Sequence, residues 1–256
     1  MSLADAAAKS CCARAYMSEG ARFLLGDTFH PGGLALTDEL AAALRVGPLD
    51  VVADVASGPG TSAARIASTT GCTVVGMDLA RTAPIRMPTE HGTGTVRFVT
   101  ADAEALPLAD GSIDGAICEC AFCLFPDKSA AAGEIARVLR PGARLALSDV
   151  TARRASLGAE LRTLDAHVAC LAEALPLEET AAILSRAGLR IESVLPRNDV
   201  VVPMLERIGA RLRLARLIGG GPLAGVLDRA DGVLEAAWTA LRDGSIGYGV
   251  VIARRP

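Results

Sequence analysis

Residues 51–60, VVADVASGPG, decide the fold. Four of the first five are apolar, as in a strand buried on both faces of a parallel sheet. Asp54 lies inside that strand, Gly58 and Gly60 follow it, and residues 61–68 read as the start of an alanine-rich helix. A strand, a glycine turn and a helix start form a backbone cradle, in which loop N–H groups and the positive helix end face a ligand. Gly58 and Gly60 are expected to let that ligand approach the main chain without a Cβ in the way.

Two classes of cofactor use such a cradle. Dinucleotide oxidoreductases place a pyrophosphate on it, whereas methyltransferases place the methionine end and ribose of S-adenosyl-L-methionine there. The dinucleotide pattern is Gly-x-Gly-x-x-Gly, and this chain offers only Gly58-x-Gly60-x-x-Ala63. Asp54 suits an acid facing a cationic amino group, not a pyrophosphate. Asp78 ends TVVGMD twenty residues after Gly58, a distance that suits a carboxylate gripping ribose hydroxyls, which both classes do.

The 256 residues suffice for one well-cored α/β domain with a small appendage. With 26 basic and 29 acidic residues, the net charge of −3 leaves no basic excess for a phosphate backbone, and eight aromatics are few for base stacking. Nucleic acid is therefore not expected as a partner. The first residues carry Lys9 and Arg14 without a long apolar core, and apolar runs elsewhere are broken before they reach membrane length. A cytoplasmic protein with no membrane partner is expected. Its seven cysteines are then not a disulfide framework.

Strand-like runs fall near 51–56, 73–78, 95–101, 113–118, 143–150, 189–194 and 246–253. Helical patterns fit 34–46, 61–70, 128–140, 154–171, 177–187, 203–218 and 222–242. The alternation predicts a doubly wound, mostly parallel sheet of seven strands. Three parts are expected: a helical cap over 1–45, a cofactor-binding domain over 46–195, and a helical insertion plus final strand over 196–256. Arg140-Pro141-Gly142 reads as a helix stop.

These pieces resemble the class I S-adenosylmethionine-dependent methyltransferases, which implies a Rossmann-like sheet with an antiparallel last strand. The glycine loop, Asp78, TADAEALPLADGSID (100–114) and EIARVLRPGARLALSD (134–149) match in order. Ala56 stands where the family usually has glycine, which implies altered loop geometry but not lost binding. The resemblance implies that Asp54 and the loop Ala56, Ser57, Gly58 and Gly60 line the methionine moiety. It likewise implies that Asp78 takes the ribose hydroxyls, that Leu79 flanks the adenine, and that Asp102 and the Ala103 N–H meet the adenine edge. Glu119, Cys120 and Phe122 would border the methyl group, and Tyr16 would cap the cofactor. The residues 100–114 disfavour a nicotinamide enzyme.

A narrower resemblance concerns the acceptor. CECAFCLFPDK (118–128), LSDV (147–150) and CLAEAL (170–175) are similar to the corresponding runs of arsenite methyltransferases, as is the early pair Cys11-Cys12. In that family the cysteine matching Cys170 binds trivalent arsenic. The favoured substrate is therefore thiol-bound trivalent arsenic, arsenite or methylarsenite, with Cys170, Cys120, Cys123, Cys11 and Cys12 as its thiols and a thiol reductant as a possible partner. Arsenic would be substrate, and no resident metal is expected. Soft thiolates suit soft arsenic, whose lone pair needs no general base. No cysteine follows Cys170, however, where the family usually has one. Two alternatives stay open. One is a small-molecule O- or C-methyltransferase of secondary metabolism, in which His30 or His167 would serve as a base. The other is a non-catalytic metalloid-binding protein on the same fold.

Overall fold

The computed structural model describes residues 19–80, 94–158, 161, 173–219 and 224–256. Seven strands are present: β1 (Val51–Val55), β2 (Thr73–Asp78), β3 (Thr95–Thr100), β4 (Ile113–Glu119), β5 (Leu139–Ala152), β6 (Arg190–Pro196) and β7 (Ile246–Arg254). They form one sheet in the order β3-β2-β1-β4-β5-β7-β6. All neighbours run parallel except β7, which lies antiparallel between β5 and β6. The expected sheet, including its antiparallel last strand, is what forms.

The described helices are α1 (Glu19–Leu25), α2 (Gly33–Leu44), α3 (Thr61–Thr70), α4 (Lys128–Val138), α5 (Leu177–Arg186), α6 (Val201–Gly219) and α7 (Ala224–Arg242). Successive strand residues point to opposite faces, so β1 feeds two cores. Ala53 and Val55 pack with Met77, Cys118, Ile135 and Leu147 on one side. Val52 packs with Leu40, Ile66, Val74, Ile117 and Tyr248 on the other.

Two expectations about elements change. The helix expected over 128–140 stops at Val138, because Leu139 is already extended (φ −65°, ψ 138°) and Arg140 precedes Pro141. A residue before proline is driven out of the helical region, so β5 starts at Leu139, four residues before the expected 143. The helix expected over 154–171 does not begin at 154: Arg154–Ser156 is a single 3-10 turn, followed by irregular chain at 157–158. Most of its remaining residues lie outside the described ones.

The strand order reverses between β1 and β4. Ligands of open α/β sheets bind beyond the carboxyl ends of the strands at such a switch point. The turn after β1 and the end of β4 meet there.

Candidate active site

Past Val55 the chain turns through Ala56 (φ 61°), Gly58 (φ 51°) and Gly60 (φ 83°) before α3 begins. A Cβ on Gly58 would meet nothing within 4 Å, so this glycine is open toward the cleft. Gly60 differs from expectation. A Cβ there would overlap the Phe98 ring, and Gly60 does not line the cleft. Its missing side chain serves the packing of the turn on β3. Ala56 holds the left-handed conformation despite its methyl group.

The Gly58 N–H donates to Asp78 Oδ2 at 2.8 Å, and the Ala80 N–H donates to Asp78 Oδ1 at 2.8 Å. The carboxylate at the end of β2 is therefore held by backbone on both oxygens while it lines the cleft. Burial raises its pKa against those hydrogen bonds.

Asp54 is 2% exposed, and its Oδ2 has no hydrogen-bond partner among the described residues. Burial above all, then the nearby charges of Glu119 and Asp78, push its pKa well above the carboxylate range. A buried acid with an unmet oxygen is costly unless a partner arrives. A cationic ligand is the partner that fits. Ser57 Oγ, also cleft-lining, is likewise unpartnered among the described residues.

Glu119 ends β4 and joins three elements. The Thr37 hydroxyl of α2 lies 3.1 Å from its Oε1 and 3.3 Å from its Oε2. His30, only 4% exposed, sets Nε2 at 3.6 Å from Glu119 Oε1 and at 3.4 Å from Ser62 Oγ in the first turn of α3. Its Nδ1 lies 3.1 Å from the Pro31 carbonyl.

The loop after β3 forms the far edge. Asp102 Oδ1 accepts from the Glu104 N–H at 3.0 Å in a turn, and Ala103 lies beside it on the cleft wall. Arg137 braces this loop. Its guanidinium donates to Glu134 Oε1 and Oε2, to Asp110 Oδ1, and to the Leu106 and Leu108 carbonyls at 2.7–3.0 Å. Leu106 N–H in turn donates to Glu134 Oε2 at 2.7 Å.

The cleft so enclosed holds about 1130 Å³, counting its open mouth. Asp54, Ala56, Ser57, Gly58, Asp78, Leu79, Asp102, Ala103, Glu119 and Cys120 all line it. Phe122 does not. Cys120 turns the chain with φ 52°, and Phe122 falls into the core at 1% exposure, edge-on to Phe125 at 5.8 Å. Leu124 and Phe125 reach the cleft instead. Cys123 is also misplaced by the sequence reading. It is 2% exposed, packs with Ala152 and Leu157, and donates its N–H to Asp149 Oδ2 at 2.6 Å. Among the described cysteines, Cys72 and Cys118 are buried, leaving Cys120 as the thiol at the cleft. Cys11, Cys12, Tyr16, His167 and Cys170 lie outside the described residues. Asp27, Thr28 and Phe29, which the sequence did not single out, line the cleft beside His30. Their one signal was position, directly before the His30-Pro31-Gly32-Gly33 turn.

A family model described as a methyltransferase domain matches residues 53–147. The methyltransferase GfsG of Streptomyces halstedii is 32% identical over 211 residues, covering 72% of this chain and 73% of that protein. An O-methyltransferase of Pyrenophora dematioidea is 37% identical over 119 residues, 45% of each chain. An arsenite methyltransferase of Halobacterium salinarum is 31% identical over 104 residues, only 41% of this chain and 27% of that one. In structure, the geranyl diphosphate C-methyltransferase of Streptomyces coelicolor A3(2) superposes with a TM-score of 0.71 at 17% identity, over 97% of this chain and 98% of that one. This last likeness is one of fold.

Proposed function

The chain belongs to the S-adenosyl-L-methionine-dependent methyltransferases, and we propose that it methylates a hydroxyl oxygen of a small organic acceptor. One observation carries this choice of acceptor. Phe29, Leu106, Leu124 and Phe125 give the cleft an apolar wall, and among the described residues Cys120 is the single thiol on it. Trivalent arsenic would need several converging thiolates, and Cys123 is turned away into the core. O-methyltransferases among the relatives support the same reading.

When bound, S-adenosyl-L-methionine supplies a methyl group already activated by its sulfonium. The protein's task is then to bind, orient and exclude water, which accounts for much of the rate of such transfers. In this reading Asp54, Ala56, Ser57 and Gly58 hold the methionine end, Asp78 the ribose, and Leu79, Asp102 and Ala103 the adenine. Asp27, two residues before Phe29 on the cleft wall, takes the proton that an acceptor hydroxyl sheds.

Thiol-bound arsenic is the second reading, favoured by Cys120 at the cleft and by the partial likeness to the arsenite methyltransferase. The test supplies methyl-labelled cofactor with a panel of phenols and aliphatic alcohols, and separately with arsenite plus a thiol. The expected product is a methyl ether, located by NMR, whose formation survives Cys120→Gly. Methylated arsenic from the wild type, abolished by Cys120→Ser, would replace the hydroxyl reading.

A further inference from the structure

We infer that Arg211 of α6 is a positioning residue for the acceptor side of the cleft: it ties the end of α1 to the helical insertion and so sets where Asp27 and Phe29 stand. For the nature of the acceptor this rests on the hydroxyl reading; the mechanical link does not.

Residues 27–30 enter the cleft wall straight after α1, a helix of seven residues. So short a helix is marginal by itself, because nucleation costs more than a few hydrogen bonds return. Its last carbonyls also need partners from outside the helix. The Gly26 N–H closes one of them, donating to the Arg22 carbonyl at 2.9 Å. Another is closed from 187 positions further along the chain, where Arg211 Nη1 donates to the Leu24 carbonyl at 3.0 Å. A cation here also meets the negative end of the helix. Gly26 makes the approach possible. It stands at φ 93°, and a Cβ on it would come within 3.0 Å of Arg211 Nη1 and 3.2 Å of Nη2. The guanidinium is therefore packed against the turn that leads into the cleft.

The insertion holds Arg211 firmly. Val201 and Leu205 of α6 pack with Tyr248 and Val250 of β7, and Leu212, next to Arg211, is buried. Helix α1 packs along α6. At the other end of the wall, His30 sets Nε2 at 3.4 Å from Ser62 Oγ of α3 and 3.6 Å from Glu119 Oε1 of β4. Asp27, Thr28 and Phe29 are thus strung between two anchors, His30 on the cofactor side and Arg211 on the insertion. Loss of Arg211 frees the end of α1 and lets the wall swing about Gly26, while the loop after β1 keeps its own contacts. A shift of about 1 Å near a reacting group can cost about 10²-fold in rate, so a hydrogen bond remote from the chemistry can govern use of the acceptor. The insertion thereby takes part in the site although none of its described residues lines the cleft.

The test replaces Arg211 by Met, which keeps the aliphatic stem and removes the donor, and by Lys, which keeps a charged donor. The acceptor is the phenol or alcohol that the wild type methylates fastest. In Arg211→Met the acceptor KM should rise about tenfold, while the KM for S-adenosyl-L-methionine and the calorimetric affinity for S-adenosylhomocysteine stay within about twofold. Arg211→Lys should recover most of the acceptor KM. A second readout needs no acceptor. In the S-adenosylhomocysteine complex, the Gly26 amide of Arg211→Met should exchange its hydrogen about tenfold faster than in the wild type, with the amides of β1 unmoved. Should Arg211→Met not fold, Arg211→Gln takes its place with the same expected split. An unchanged acceptor KM overturns the inference, as do equal losses for acceptor and cofactor, or Gly26 exchange at the wild-type rate. A wild type that methylates no phenol or alcohol sinks the hydroxyl reading, and the exchange result alone then decides the role of Arg211.

Discussion

The Phe98 ring of β3 occupies the space that a side chain on Gly60 would fill, and it also covers Gly76 of β2. The second glycine of the turn is thus a packing residue, while the first faces the cleft. Gly60→Ala should lose about 2–4 kcal/mol, combining overpacking with a left-handed φ of 83°. Chemical denaturation measures this, and a loss below about 1 kcal/mol would contradict the packing role.

Ala56 bears a methyl group in the left-handed region, at φ 61°. Such a residue stores about 1–2 kcal/mol, part of which glycine recovers at the expense of unfolded-state entropy. Ala56→Gly should therefore be neutral or stabilising by up to about 1 kcal/mol, with cofactor affinity undiminished. Paired melting curves and calorimetry check both halves.

Asp54 gives a signed dependence on pH. Its folded pKa is raised, chiefly by burial, above that of the unfolded chain. Its contribution is complete below the unfolded value, about 4, and is lost as pH rises through the folded one. Without cofactor, Asp54→Asn should thus be more stable than the wild type at neutral pH, and the gap should close on acidification toward pH 4. The same variant should bind S-adenosylhomocysteine more weakly. Denaturation across a pH series reads the first effect and calorimetry the second. A gap that widens on acidification would be the wrong sign.

Arg137 braces the loop that carries Asp102 and Ala103, with contacts to Glu134, Asp110 and two loop carbonyls. Arg137→Met should cost about 1–3 kcal/mol, since charged hydrogen bonds are strong but this side chain is part-exposed. It should also weaken binding of adenosine-containing ligands, because the loop edge loosens. Unchanged affinity would separate the brace from the site.

The sheet was legible because each strand is a short apolar run ended by a turn, and β2 and α3 fall on the residues that the pattern marks. The cleft's polar floor was legible through the spacing of Asp54, Gly58 and Asp78. What the sequence did not carry was direction. Whether Phe122 or Phe125 faces the cleft depends on the single positive φ at Cys120, a conformation rarely adopted by cysteine. Cys123 follows Phe122 inward for the same reason, which removed a thiol from the expected arsenic site. Gly58 and Gly60 read alike in the sequence, and only the Phe98 ring tells them apart. The pairing of His30 with Glu119 joins residues from opposite sides of β1, a contact that no local pattern announces.

The position of β7 between β5 and β6 has a consequence for biosynthesis. Until residues 246–254 leave the ribosome, the flanks of both neighbours show unpaired N–H and C=O groups, a template for association with other nascent chains. The N-terminal half can fold early around β1 and β4, yet burial of Tyr248 against Ser148 awaits the last strand. Chains halted shortly before Ile246 should therefore enlist chaperones and precipitate, even though every residue lining the described cleft has already been made.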